Sequence, residues 1–133
     1  MKVLLVDDTP SILKISTRIL ARAGFKVTTA ENGLLALQEL VTGHFEVVLM
    51  DLHMPVLDGL ETVKRIRAME TTANVGAGAV GGARQFIIAV SANSDPDIIQ
   101  EALQSGYDAF LEKPFSLKDF QALFAARELI FRG

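Results

Sequence analysis

Asp7, Asp8, Asp51, Ser91 and Lys113 are the reactive side chains of this sequence, and each stands at the end of a short apolar run. KVLLV leads into Asp7 and Asp8, VVLM into Asp51, FIIAV into Ser91, and DAFLE into Lys113 and Pro114. Singly these say little: an aspartate after a strand is most often a turn residue or a helix cap. Gathered in one crevice they would do more. Three carboxylates repel one another unless a cation lies between them. An all-oxygen donor set with room for water suits Mg²⁺, which commonly shares its coordination with phosphate. An aspartate carboxylate is itself a nucleophile that can form an aspartyl phosphate. A lysine ammonium and a serine hydroxyl on the same crevice would bind the oxygens of the added phosphoryl group.

The elements that deliver these residues are legible. Val3–Val6, Val47–Met50 and Phe86–Val90 lack the alternation of half-wet strands and read as strands covered on both faces. Lys26–Thr29 and Asp108–Leu111 are weaker strand candidates. Helical spacing links Ile12, Ile15, Ile19 and Ala23, with Gly24 as a stop. Leu34, Leu37 and Val41 predict a second helix ending at Gly43, and Leu60, Val63, Ile66 and Met69 a third. A fourth runs from Pro96 to Ser105 with Asp95 as its cap and Gly106 beyond it. The last begins near Ser116 and carries Leu117, Phe120, Leu123, Phe124, Ile130 and Phe131.

Five alternations of strand and helix predict an α/β fold, a doubly wound parallel sheet with right-handed crossovers. Ligands of such sheets bind beyond the carboxyl ends of the strands, where strand order reverses. With order 2-1-3-4-5, that point brings Asp7, Asp8 and Asp51 together.

One stretch breaks the rhythm. Residues 71–84 read TTANVGAGAVGGAR, and GAGAVG at 76–81 matches the glycine pattern of dinucleotide-binding loops. That fingerprint works only after a strand and before a helix. Here a helical segment precedes it and a strand follows, so it reads as a flexible surface insertion in a single domain spanning 1–133. The totals agree with one domain: 133 residues, half of them hydrophobic. A net charge of −3 offers no nucleic-acid face. The absence of cysteine excludes disulfide scaffolds and thiolate chemistry. No apolar run has the length of a signal-peptide core or a membrane span, which predicts a cytoplasmic protein.

LLVDD at 4–8, LMDLHMPVLDG at 49–59, AVSAN at 89–93 and FLEKPF at 110–115, in this order and spacing, resemble the response-regulator receiver domains of two-component phosphorelays. The resemblance implies the flavodoxin-like (βα)5 fold. It makes Asp51 the phosphoacceptor, and Asp7 and Asp8 the acidic pair that holds Mg²⁺ with Asp51 and the backbone carbonyl of His53. Ser91 and Lys113 take the hydroxyl and lysine positions that bind the phosphoryl group. Ser91 and Phe110 become the switch pair, and His53 and Asn93 the positions that tune dephosphorylation. It further implies a cis peptide before Pro114, and a histidine kinase or histidine phosphotransfer protein as donor. Signalling, or dimerisation, would pass through the face formed by the fourth helix, fifth strand and fifth helix. The long Gly/Ala segment departs from the family pattern, and no output domain follows the last helix.

Two other functions compete. A phosphohydrolase with an aspartyl-phosphate intermediate would place a second acid two residues after the nucleophile, where this chain has His53. A phosphorylation-independent pseudo-receiver would lack an acidic-pocket residue or the lysine, and here all are present.

Overall fold

The strands KVLLV, VVLMD and IIAVS are buried almost throughout, because helices cover both faces of the sheet they form. In the computed structural model, which describes residues 1–76 and 84–127 (71–76 as backbone only), β1 (Lys2–Val6), β2 (Lys26–Ala30), β3 (Val47–Asp51), β4 (Ile87–Ser91) and β5 (Ala109–Glu112) pair in parallel. Their order is β2-β1-β3-β4-β5. The intervening helices are α1 (Pro10–Arg22), α2 (Gly33–Thr42), α3 (Gly59–Gly76), α4 (Pro96–Ser105) and α5 (Leu117–Ala125). The predicted flavodoxin-like α/β fold is the fold observed.

Alternate strand residues feed two cores. Leu4, Val6, Val48, Met50, Ile87 and Ala89 pack with Ala36 of α2, Val63 and Ile66 of α3, and Ala102 of α4. Val3, Leu5, Val47, Leu49, Ile88 and Val90 pack with Leu13 and Leu20 of α1 and with Phe120 and Phe124 of α5. In the second core Phe25 meets the rings of Phe120 and Phe124 edge-on at 5.4 and 5.6 Å. Burying one such ring contributes about 1.5–3 kcal/mol.

The predicted helices α1, α2 and α3 are present, but the residues whose spacing revealed them are not all the ones they bury. α1 buries Leu13, Ser16 and Leu20, not the Ile12–Ile15–Ile19 stripe, and Ile15 is 59% exposed. Both stripes have helical spacing, and periodicity alone does not say which faces the sheet. In α2, Leu34 and Val41 are likewise exposed, while Gly33 and Ala36 are buried. The cause is close packing: a Cβ on Gly33 would lie 1.8 Å from Thr62 Oγ1 of α3. Met69 is exposed on α3.

α3 continues through Gly76, so the first residues of the Gly/Ala-rich stretch, 71–76, are helical. No glycine or proline interrupts the chain between Gly59 and Gly76. Residues 77–83, and Ile130 and Phe131, lie outside the described residues. The glycine pattern at 76–81 has α3 before it and β4 after it, the inverse of a dinucleotide-binding arrangement.

Candidate functional site

β1 and β3 are neighbours, in register from Val3↔Val47 to Val6↔Met50, so the residues that follow them emerge side by side. The carboxylates of Asp7, Asp8 and Asp51 each offer an oxygen within 4.8 Å of the others. Asp7 is buried, Asp51 half-buried and Asp8 exposed. Three anionic oxygens at this spacing, open to water through Asp8, form a donor set suited to a hard divalent cation. The His53 side chain is exposed and its imidazole is not in this cluster.

Lys113 closes the site from β5. Its ammonium donates to Asp7 Oδ2 at 2.5 Å and to Asp51 Oδ2 at 3.1 Å. Burial pulls the Lys113 pKa down, but hydrogen bonds and charge from Asp7 and Asp51 outweigh it and hold the ammonium above its ordinary value. The Lys113–Pro114 peptide is cis, as predicted, and Lys113 N donates to Ser91 O at 2.8 Å. The other Asp7 oxygen, Oδ1, accepts Thr9 N at 2.9 Å, which fixes that carboxylate from both sides.

Ser91 is buried at the end of β4, and its Oγ accepts Asn93 N at 3.1 Å. Asn93 in turn accepts Asp95 N through Oδ1, also at 3.1 Å. Asp95 occupies the N-cap position of α4 but makes no side-chain capping bond. Asp95 thus takes the predicted N-cap position with its backbone carbonyl, which accepts Ile98 N and Ile99 N, while the preceding turn is held by the side chain of Asn93, two residues earlier. Phe110 is half-buried and packs against the same core as Ile98 of α4.

The loop after Asp51 is shaped by PVLDG. Leu57 N donates to Pro55 O at 2.9 Å, with Val56 at φ 73° between them, so the chain makes a tight three-residue turn. Asp58 Oδ1 then caps α3 by accepting Glu61 N at 2.9 Å. Gly59 permits the start of α3 to lie against β3, since a Cβ there would fall 1.8 Å from Asp51 O.

Sequence reasoning missed two features. Tyr107, the one tyrosine of the chain, is buried and donates its hydroxyl to Asp51 O at 3.1 Å. Burial raises its pKa well above the usual phenol value, reinforced by the charges of Asp51 and Asp58. The second is a groove of about 310 Å³ beside Lys113, lined by Ile12, Ile15 and Ile19 of α1 with Ala92, Pro114 and Phe115. The isoleucine stripe whose spacing predicted α1 was its signal.

A parallel sheet with order 2-1-3-4-5, carrying an acidic triad and a bridging lysine at its switch point, defines a class of protein. Residues 3–125 match the family described as the response regulator receiver domain, and the chain belongs to that family. It is 38% identical over 118 residues to hybrid signal transduction histidine kinase A of Dictyostelium discoideum, covering 87% of this chain but 5% of that kinase.

Among solved structures, it superposes with TM-score 0.85 and 29% identity on the co-crystal structure of the Saccharomyces cerevisiae phosphotransfer protein Ypd1 and the receiver domain of Ssk1. That match covers 94% of this chain and 86% of the other. The receiver domain of Pseudomonas aeruginosa sensor histidine kinase PA1611, with magnesium coordinated in its active site cleft, matches with TM-score 0.78 and 30% identity over 95% and 94% of the two chains. Receiver domains are signalling modules of two-component systems. Among the described residues, no helix is long and apolar enough to cross a membrane.

Proposed function

We propose that this receiver accepts a phosphoryl group on Asp51 from a phosphohistidine of a histidine kinase or histidine phosphotransfer protein. The observation that carries the reading is the half-buried Asp51 carboxylate, clustered with Asp7 and Asp8 and hydrogen-bonded by Lys113. An Asp51 oxygen attacks phosphorus, and the phosphorus–nitrogen bond to the donor breaks. The imidazole keeps that electron pair and takes a proton from water. Mg²⁺, when bound, supplies charge neutralisation for the carboxylates and the phosphoryl oxygens. Asp7, Asp8, Asp51 and the His53 carbonyl would hold it.

Lys113 begins bonded to both Asp7 and Asp51, so its ammonium offsets only part of the charge of the three clustered carboxylates and leaves the resting pocket anionic, as a divalent cation requires. On phosphorylation it turns its donors to the new oxygens, joined by the Ser91 hydroxyl. The added group is then removed slowly, at a rate set in part by His53 and Asn93, both exposed at the rim. The domain thus catalyses its own modification and does not turn over a substrate. The isoleucine groove runs up to Lys113 and Pro114, which supports docking of the donor protein there, its histidine presented to Asp51. The similarity to a receiver crystallised with Ypd1 supports the same class of partner.

Intact mass tests the assignment. Acetyl phosphate with Mg²⁺ should add one phosphoryl group, labile to hydroxylamine as an acyl phosphate. Asp51→Asn preserves side-chain size and removes the nucleophile. Labelling of that variant at the wild-type rate would refute the reading.

A further inference from the structure

We infer that Tyr107 is a positioning residue for the phosphoacceptor, holding Asp51 through its backbone carbonyl from the opposite pole of the sheet. The inference rests on the proposed role of Asp51. Tyr107 lies in the turn between α4 and β5, where β5 begins, whereas Asp51 ends β3. Its ring bridges the two, 2% exposed, and the hydroxyl meets Asp51 O at 3.1 Å.

The neighbouring residues fit this bond. The β3–β4 ladder ends at Asp51↔Val90 and the β1–β3 ladder one residue earlier at Val6↔Met50, so Asp51 is the last paired residue of its strand. A strand's final carbonyl, buried and at the edge of a reactive pocket, needs a fixed donor. Gly59 leaves room for one: a Cβ there would lie 2.3 Å from the Tyr107 hydroxyl and 1.8 Å from the carbonyl it reaches.

The base of the tyrosine is braced as firmly as its tip. Tyr107 N donates to Ala102 O, and Asp108 N to Ile87 O at 2.8 Å. The Asp108 carboxylate receives Arg67 Nη2 at 2.8 Å and Ile87 N at 2.9 Å. Arg67 Nε also donates to Gly106 O at 2.9 Å. A side chain fixed at both ends transmits position. Here it sets where the last residue of β3 stops, and so where the attacking carboxylate oxygen stands relative to the donor phosphorus, to which attack rates are sensitive.

The test compares wild type, Tyr107→Phe, and Ile66→Val as a core variant that loses stability without touching Asp51. Each is phosphorylated by acetyl phosphate with saturating Mg²⁺, and the melting curve fixes a temperature at which all are folded. Tyr107→Phe is expected to lower the saturating rate about two- to tenfold, the worth of one hydrogen bond, with the half-saturating donor concentration unchanged. Ile66→Val should keep the wild-type rate.

Equal saturating rates in wild type and Tyr107→Phe would overturn the inference while leaving Asp51 as phosphoacceptor. A wild type that takes no phosphoryl group would overturn both. If Tyr107→Phe does not fold, fluorine NMR of wild type carrying meta-fluorotyrosine decides, because Tyr107 gives the single signal. A resonance that shifts when Mg²⁺ and beryllofluoride occupy Asp51 supports the bond, and one that stays fixed overturns it.

Discussion

At the scale of single residues, the three carboxylates are held very differently, and this separates metal binding from folding. Asp7 is buried and bonded to Thr9 N and Lys113, and Asp51 is bonded to Lys113, while Asp8 is exposed. Asp8→Ala should therefore weaken Mg²⁺ at least about tenfold, because a charged oxygen ligand is lost. The metal-free protein should change by no more than about 0.5 kcal/mol, as an exposed side chain is removed and repulsion relieved. Calorimetric titration with Mg²⁺ and urea denaturation in a chelator measure the two effects. Equal Mg²⁺ affinity in wild type and variant would displace Asp8 from the metal site. These carboxylates were legible from sequence because chemistry and position coincide at strand ends. Tyr107 was not, since its hydroxyl reaches Asp51 across 56 residues of sequence and carries no local motif.

At the scale of elements, the strands were read almost as they stand, because burial on both faces leaves an unbroken apolar run. Helix faces were harder. α1 carries two apolar stripes, and only packing against β1 and α5 decides that Leu13 and Leu20 go inward while Ile15 faces the groove. The joins at the amino end of the sheet were invisible for another reason: they are made by charges far apart in sequence. Arg67 of α3 bonds Glu70, Gln85 O, Gly106 O and Asp108, and Glu70 accepts Gln85 N at 2.7 Å. This clasp ties the end of the Gly/Ala-rich stretch to α3 and to the start of β5, whatever lies between.

Asp108 is its centre, 4% exposed in the side chain and facing Arg67, Arg84 and Ile87 N. Asp108→Ala removes one of the two carboxylates that Arg67 bonds, and with it the acceptor of Ile87 N, which should cost about 1.5–3 kcal/mol. Asp108→Asn keeps an acceptor for Ile87 N and should lose less. A urea midpoint unchanged by Asp108→Ala would mean the clasp adds no stability.

At the scale of the whole molecule, the reactive pocket and the clasp sit at opposite poles of one sheet, and α4 runs between them. Its amino end follows the loop from Ser91 to Asp95, where the side-chain hydrogen bonds among the described residues are the short-range Asn93 and Ser91 turn bonds. Its carboxyl end is fixed: Gly106 O receives Arg67 Nε and Arg84 Nη2, and Tyr107 N returns to Ala102 O. If Asp51 takes the phosphoryl group as proposed, the new dianion should draw the Ser91 hydroxyl toward it, and the less braced end should yield before the braced one. α4 should then pivot about its carboxyl end, opening space over β5 for the half-buried Phe110 ring to turn inward. Phe110 has no hydroxyl, so burying it leaves no polar group unpaired. Amide NMR with and without Mg²⁺ and beryllofluoride gives the map. Shifts are expected from Ser91 through Ile98 and at Phe110, with Gly106, Asp108 and Ile87 nearly unmoved. If the largest backbone shifts instead appear at 106–108 while 91–98 stay still, α4 does not pivot from this end and the clasp is the moving part.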